Sequence, residues 1–276
     1  MSRRRALANR LEGLQDVRPV LAAMKNFALA ELRKLAGLAE HQRRALASIE
    51  AAAADFLAFH GESAEARPTL AVWIAIGSER GLCGEYNRSI ADAARARLAA
   101  QARVVLVGAK LAERFGDPGT ESLPGAGVAE ELPGILERLT AWLERTQATA
   151  EGALLSVGVL YEDARSGRLQ ERIVAPLPAS PSPPAPRRTR PLLTLEPRAF
   201  FAALGEQALR MALHEAFCSA LIAENTRRLE QMQGALGRLD EAAEDLRRRL
   251  NASRQEEITQ EIEVIMLSVE ALEEPA

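Results

Sequence analysis

The chain has 276 residues, a net charge of −3 and a pI near 5.8. That length holds one globular domain plus a long helical pair, and the slight acidity argues against a general nucleic-acid binder. Aromatic residues are only 4% while alanine, leucine, arginine and glutamate dominate, which favours long helices and a coiled coil over a large compact core.

Other classes fall away on the same grounds. No apolar run approaches the ~20 residues needed to span a bilayer, so direct membrane insertion is not expected. Cys83, Cys218, His41, His60 and His214 are too scattered for the clustered ligands of a zinc site, and two distant cysteines suit a reducing compartment. Neither a metal nor another cofactor is expected.

From the N-terminus, Leu7, Leu14, Leu21, Ala28 and Leu35 recur every seven residues, with Leu11, Val17, Met24, Leu32 and Leu38 on the same broad face. This spacing predicts a helix over residues 1–60. Pro19 lies inside it, and a proline there removes one backbone bond, so a kink or restart near Val17 and Arg18 is expected. Gly61-Glu62-Ser63 ends the helix and Arg67-Pro68 opens a linker.

Thr69 to Ile76 reads as a buried strand, rich in Val, Trp and Ile. The glycine-rich turn Gly77 to Asn87 leads into an alanine-rich helix. Such a turn between strand and helix has the makings of a phosphate cradle, but it lacks both G-x-G-x-x-G and G-x-x-x-x-G-K-[ST]. Val104 to Val107 is a second strand, Gly108 to Phe115 a turn and helix, Gly116 to Gly127 a loop and Glu130 to Thr146 a helix. Leu154 to Leu160 and Leu169 to Val174 are further strands around a tight turn at Ser166-Gly167. Strands alternating with helices predict a Rossmann-like α/β domain over residues 67–175. Residues 176–191 hold seven prolines with Arg187, Arg188 and Arg190, so 176–196 reads as a stiff linker.

The last segment, 197–276, has no proline between Pro197 and Pro275 and allows a helix of roughly 75 residues, about 110 Å. Phe200, Leu204, Ala208, Met211 and Phe217 form a stripe suited to pack on the α/β domain. Leu229, Met232, Leu236, Leu239, Ala243, Leu246 and Leu250 follow in threes and fours, the seam of a coiled coil. A second seam, Ile258, Ile262, Ile265, Val269 and Leu272, starts eight residues after Leu250 and shifts the phase. Residues 1–60 carry ten Lys/Arg against six Asp/Glu, and 224–276 carry seven against thirteen, so the two ends suit an antiparallel helix pair.

Four stretches resemble one family. Asn251, Arg254, Gln255, Ile258, Thr259, Gln260, Glu261 and Ile262 match the N-x-x-R-Q-x-x-I-T-Q-E-[IL] ending of F-type ATP synthase gamma subunits. Ser78, Arg80, Gly81, Leu82, Cys83, Gly84 and Asn87 match their S-D-R-G-L-C-G-G-[FYL]-N turn, with Glu79 conservative and Glu85 in place of a glycine. Residues 20–28 and 32–34 are similar to the I-T-x-A-M-x-x-V-A and M-R-K segments, with Pro19 and Glu31 where basic residues are usual. Glu224, Arg228 and Met232 match S-E-x-x-A-R-M-x-A-M, and Leu236-Gly237-Arg238 departs from the usual T-D-N.

The resemblance implies a long antiparallel two-helix coiled coil of N- and C-terminal segments with a Rossmann-like α/β domain inserted between them. It implies a non-catalytic central-stalk rotor, one copy per complex, that turns inside a ring of alpha and beta subunits. The epsilon subunit and c-ring would be its other partners. The complex would lie on the cytoplasmic face of the bacterial inner membrane. The resemblance starts near Leu11, which leaves little after Ser2-Arg3-Arg4-Arg5 to cleave, so a mature, soluble chain is expected. Arg254, Gln255 and Thr259 are implied to bond a beta-subunit loop, with Met24 and Lys25 opposite them. Arg228 and Glu261 are implied to make helix-to-helix or helix-to-stator contacts. Cys83 is explained by the turn better than as a nucleophile. Two alternatives differ in class: a nucleotide-binding or redox enzyme with dimerising helical arms, and a coiled-coil scaffold such as the D-type shaft of V-type ATPases, which lacks the inserted domain.

Overall fold

The structure, a computed structural model, describes residues 3–60, 69–177 and 192–273. Gly61-Glu62-Ser63, Arg67-Pro68 and most of the proline-rich stretch lie outside the described residues, as do the side chains of Val269 and Leu272. Among the described residues no helix is long and apolar enough to cross a membrane. The chain divides into two units, Met1–Phe27 with Glu230–Ala276, and Ala28–Leu229. Two helices, α1 (Arg3–His60) and α5 (Pro197–Glu273), contribute to both.

In the first unit α1 and α5 run antiparallel. Arg4 Nη1 meets Glu257 at 2.8 Å and Arg18 Nε meets Asp240 at 2.8 Å, so residues ascend on one helix as they descend on the other. Both pairs are exposed and set register more than stability. Met232, Leu239, Ala243 and Leu246 are buried along the expected seam. Helix α1 runs through Pro19 without a restart. The helix continues across the one missing backbone bond, with Leu14 and Leu21 half-buried in the turns on either side. Val17, expected on the packed face, is exposed. The second seam also differs: Ile258, Ile262 and Ile265 face solvent. The described part of α1 begins at Arg3, next to the residue that meets Glu257, so the turns beyond have no α1 neighbour among the described residues.

The second unit is built on a five-stranded sheet of order β3-β2-β1-β4-β5. Strands β1 (Thr69–Ile76), β2 (Arg103–Val107), β3 (Glu121–Leu123) and β4 (Leu154–Glu162) are parallel, and β5 (Leu169–Ala175) returns antiparallel on β4. The expected loop at 116–127 thus contains β3. Three residues are too few to show alternation in sequence; pairing of Val105 with Glu121 makes the strand.

Helices α2 (Tyr86–Ala99), α3 (Ala109–Phe115) and α4 (Leu132–Ala148), the last preceded by a 3-10 turn at Ala129–Glu131, connect the strands. Period-two alternation splits the core. Val72, Ile74, Val105, Val107, Val157 and Val159 face α4 and the parts of α1 and α5 in this unit, meeting Leu35, Ile135, Leu139 and Phe217. Trp73, Ala75, Val104, Leu106 and Leu160 face α2 and α3. Phe217 and Ala208 are buried as the apolar stripe predicts, whereas Phe200 lies tilted against Phe56 of α1, ring centroids 5.4 Å apart. The fold class read from sequence, long terminal helices with an α/β domain from the middle of the chain, is the one observed.

Candidate functional site

A densely bonded polar region of the second unit lies where the β1–α2 turn meets α5. Strand β1 ends at Ile76, and at the next residue, Gly77, a Cβ would collide with Leu111 of α3. Gly108, at φ +118, passes so close that a Cβ would lie 2.7 Å from the Gly77 carbonyl oxygen, so only glycine serves at either position. The turn is then closed by its own side chains. Asn87 Oδ1 accepts the Ser78 backbone N–H at 2.9 Å and Asn87 Nδ2 donates to Ser78 Oγ at 2.7 Å. Cys83 Sγ lies 3.4 Å from the same hydroxyl. Leu82 takes a left-handed conformation, φ 66, and is 52% exposed. A leucine in that region is strained and persists only where its neighbours over-determine it.

Helix α5 supplies the constraint. The spacing of Glu224, Asn225 and Arg228 puts all three on one face, and all are buried. Arg228, 3% exposed, donates from Nε to the Gly81 carbonyl and from Nη2 to the Arg80 carbonyl, each at 3.3 Å. It also donates to Asn225 Oδ1 at 2.9 Å and pairs with Glu224. Asn225 Nδ2 is anchored on the Leu221 carbonyl, and Tyr86 at the head of α2 donates its hydroxyl to the Ala220 carbonyl at 3.0 Å. A planar guanidinium with five donors suits this junction; a lysine ammonium has no second edge to offer.

The electrostatics follow from burial. Desolvation lifts the Glu224 carboxyl to about 7, against the lowering pull of Arg228. Burial also raises the Tyr86 hydroxyl and the Cys83 thiol, so Cys83 stays a protonated thiol and a weak nucleophile. Cys218 is pushed up to about 12 by burial, then by Glu215, although its Sγ lies 3.4 Å from His214 Nδ1.

Doubly wound sheets hold ligands beyond the carboxyl ends of their strands. Here that crevice is filled from within. Glu79 Oε2 accepts the N–H groups of Ala109 at 2.9 Å and Gly125 at 2.7 Å, putting a carboxylate where a phosphate would sit. Between Glu224, Gly77 and Phe217 the remaining space is about 10 Å³, room for one water at most. This chemistry disfavours a nucleotide-binding enzyme. Among the described residues no group of three His, Cys, Asp or Glu side chains is arranged to hold a metal ion.

The residues singled out in sequence divide between the units. Ser78, Arg80, Gly81, Leu82, Cys83, Gly84, Asn87 and Arg228 come together at this joint. Arg228, implied to reach the other helix or the stator, is instead spent on the turn and on its own helix. Met24, Lys25, Arg254, Gln255, Thr259 and Glu261 belong to the paired helices of the first unit. The last four are exposed, and Thr259 donates to the Gln255 carbonyl at 3.0 Å. The register corrects one implied arrangement: counting back from Arg18–Asp240 places Met24 opposite residue 234 or so, about 20 residues or roughly 30 Å from Arg254. Sequence reasoning missed Glu79, Tyr86 and Asn225, whose partners are 30 to 134 residues away, except Asn225, which lay in plain view beside Arg228 at helical spacing.

The comparisons with known proteins agree on one family. A family model described as ATP synthase matches residues 3–272. An ATP synthase gamma chain of Clostridium beijerinckii is 25% identical over 278 residues, 94% of this chain and 95% of that one. The Euglena gracilis mitochondrial ATP synthase rotor superimposes with a TM-score of 0.60 at 15% identity, over 92% of this chain and 98% of that chain. A chain of that enzyme's OSCP/F1/c-ring assembly gives 0.63 at 15% identity, over 98% and 94%. At such identity the structural likeness speaks to the fold.

Fold and joint define a protein of long paired helices with an α/β domain whose ligand crevice is closed by its own side chains. The chain belongs to the ATP synthase family, as a gamma subunit, the non-catalytic stalk component of a membrane-associated complex.

Proposed function

We propose that this gamma subunit is the central-stalk rotor of an F-type ATP synthase, carrying torque between an ion-driven membrane rotor and a catalytic ring of alpha and beta subunits. The observation that carries the reading is the joint. A domain that must turn with a helix needs directional bonds that resist slip, and Arg228, Glu224, Asn225 and Tyr86 supply them under burial, where hydrogen bonds are electrostatically strong. Arg172 adds a second fastening within the same unit, bonding Glu50 of α1 at 2.9 Å and Glu215 of α5 at 3.3 Å.

In this reading residues 1–60 and 197–276 are the shaft, 67–175 the foot and 176–196 the linker. Arg254, Gln255, Thr259 and Glu261 are exposed on α5 and available to a beta-subunit loop, while Met24 and Lys25 meet the housing at another level. The foot lies on the c-ring beside epsilon, one gamma per complex, on the cytoplasmic face of a bacterial inner membrane. Catalysis belongs to the beta subunits. Purification of the native complex tests this: alpha, beta, epsilon and c subunits are expected to co-elute with the chain, and its isolation as a lone homodimer would overturn the reading.

A further inference from the structure

Two departures from the family pattern, Pro19 and the Leu236-Gly237-Arg238 stretch, lie at the same level of the helix pair. The Arg18–Asp240 ion pair at 2.8 Å puts them side by side across the helix pair. Among the described residues of the first unit, the three glycines (Gly13, Gly234 and Gly237) and the one proline (Pro19) all lie within six residues of that bridge, under two helical turns.

Packing does not require these glycines. A Cβ built on Gly13 or Gly237 meets nothing within 4 Å, and one on Gly234 meets only Arg238 Nη1 at 3.4 Å, the end of a flexible side chain. What remains is their effect on the helix: each lowers helix stability relative to alanine through backbone entropy. Pro19 is exposed, so its ring adds no burial, and it has no N–H to give the Gln15 carbonyl. A groove of about 420 Å³ lined by Gln15, Arg18, Leu239 and Ala243 opens at the same level. Four helix-weakening residues, one of which removes a backbone bond, and a surface groove thus coincide on the two helices of the pair.

We infer that residues 13–22 of α1 and 234–243 of α5 form a built-in point of compliance, where the pair bends, twists and opens ahead of the turns on either side. Resting on the rotor reading, this places an elastic element inside the shaft, set by sequence rather than by partners.

Hydrogen exchange followed by mass spectrometry on the full chain tests it without reference to partners. Amides in 13–22 and 234–243 are expected to exchange at least tenfold faster than those at 24–27 and 246–254. In the Gly234→Ala/Gly237→Ala variant, exchange in both windows slows by about ten- to thirtyfold, the flanks unchanged. Gly37→Ala, an equally open glycine elsewhere on α1, slows only its own turn. Equal exchange in windows and flanks, or slowing spread evenly along the pair, overturns the proposal. Failure of the chain to co-elute with an ATP synthase would sink the rotor reading and leave this result standing.

Discussion

Asn87 and Ser78 hold each other reciprocally: the Asn87 amide oxygen accepts the Ser78 backbone N–H at 2.9 Å while its nitrogen donates to the Ser78 hydroxyl at 2.7 Å. One side chain thereby closes the ten-residue turn that Arg228 grips from below. Truncation in Asn87→Ala strands the N–H of buried Ser78, a loss of about 1–3 kcal/mol. The urea midpoint should fall accordingly, with Asn87→Asp intermediate because it keeps the acceptor. An unchanged midpoint in Asn87→Ala would show that the turn does not depend on this pair.

Arg228→Ala should be more damaging, because it leaves Glu224 buried without its counter-charge and frees the carbonyls of Arg80 and Gly81. Breaking one side of a buried pair costs about 3–5 kcal/mol. Arg228→Lys keeps the charge but not the two-edged geometry, so it should recover only part. Thermal melts of the three proteins check the order; a lysine variant as stable as the parent would remove the guanidinium from the argument.

The Glu224 carboxyl, raised to about 7 by burial, predicts a pH dependence with a definite sign. The group is more acidic in the unfolded chain, near 4.5, so its contribution to stability is fully present below that value and is lost as pH rises through about 7. His214, lowered by burial, works oppositely: its contribution is present above its unfolded value and lost as pH falls. The comparison must therefore be differential. Relative to Glu224→Gln, the parent should lose Tm between pH 5 and 7.5; parallel curves would mean Arg228 keeps Glu224 ionised throughout.

Two glycines with the same substitution should respond in opposite directions. Gly108→Ala places a Cβ at a positive φ and 2.7 Å from the Gly77 carbonyl oxygen, so strain and collision add, at about 2 kcal/mol or more. Gly37→Ala meets nothing within 4 Å in a helix and should stabilise by about 1 kcal/mol. Chemical denaturation of both variants reads the sign directly.

For the exposed tip of α5, the prediction concerns coupling. Arg254→Ala with Gln255→Ala removes solvent-facing side chains and should change the stability of the chain by less than about 0.5 kcal/mol. In reconstituted vesicles the double variant is expected to hydrolyse ATP while pumping ions less efficiently. Undiminished pumping per ATP hydrolysed would remove these residues from the coupling contact.

Much of the fold was legible because it is written in short periods. Threes and fours along α5, heptads along α1 and the apolar run Thr69–Ile76 each report a local preference that packing then satisfied. Where the pattern misled, a non-local partner decided. Glu121–Leu123 became a strand only because β2 lies beside it. Ile258 and Ile262, apolar at seam spacing, are exposed, and among the described residues no turn of α1 lies beyond the Arg4–Glu257 pair to cover them.

The sequence alone thus determined the two long helices, the α/β domain between them and, through matched residues at fixed spacing, the family. It singled out Arg228 but misjudged its neighbours, because the span from residue 80 to residue 228 carries no periodic trace. Only the tertiary structure decided that this guanidinium turns inward to the Arg80 and Gly81 carbonyls, that Glu79 closes the ligand crevice, and that Arg18, next to Pro19, pairs with Asp240. Local propensity depends on neighbours within a few turns, whereas these relations depend on which distant backbone groups folding brings into hydrogen-bond range.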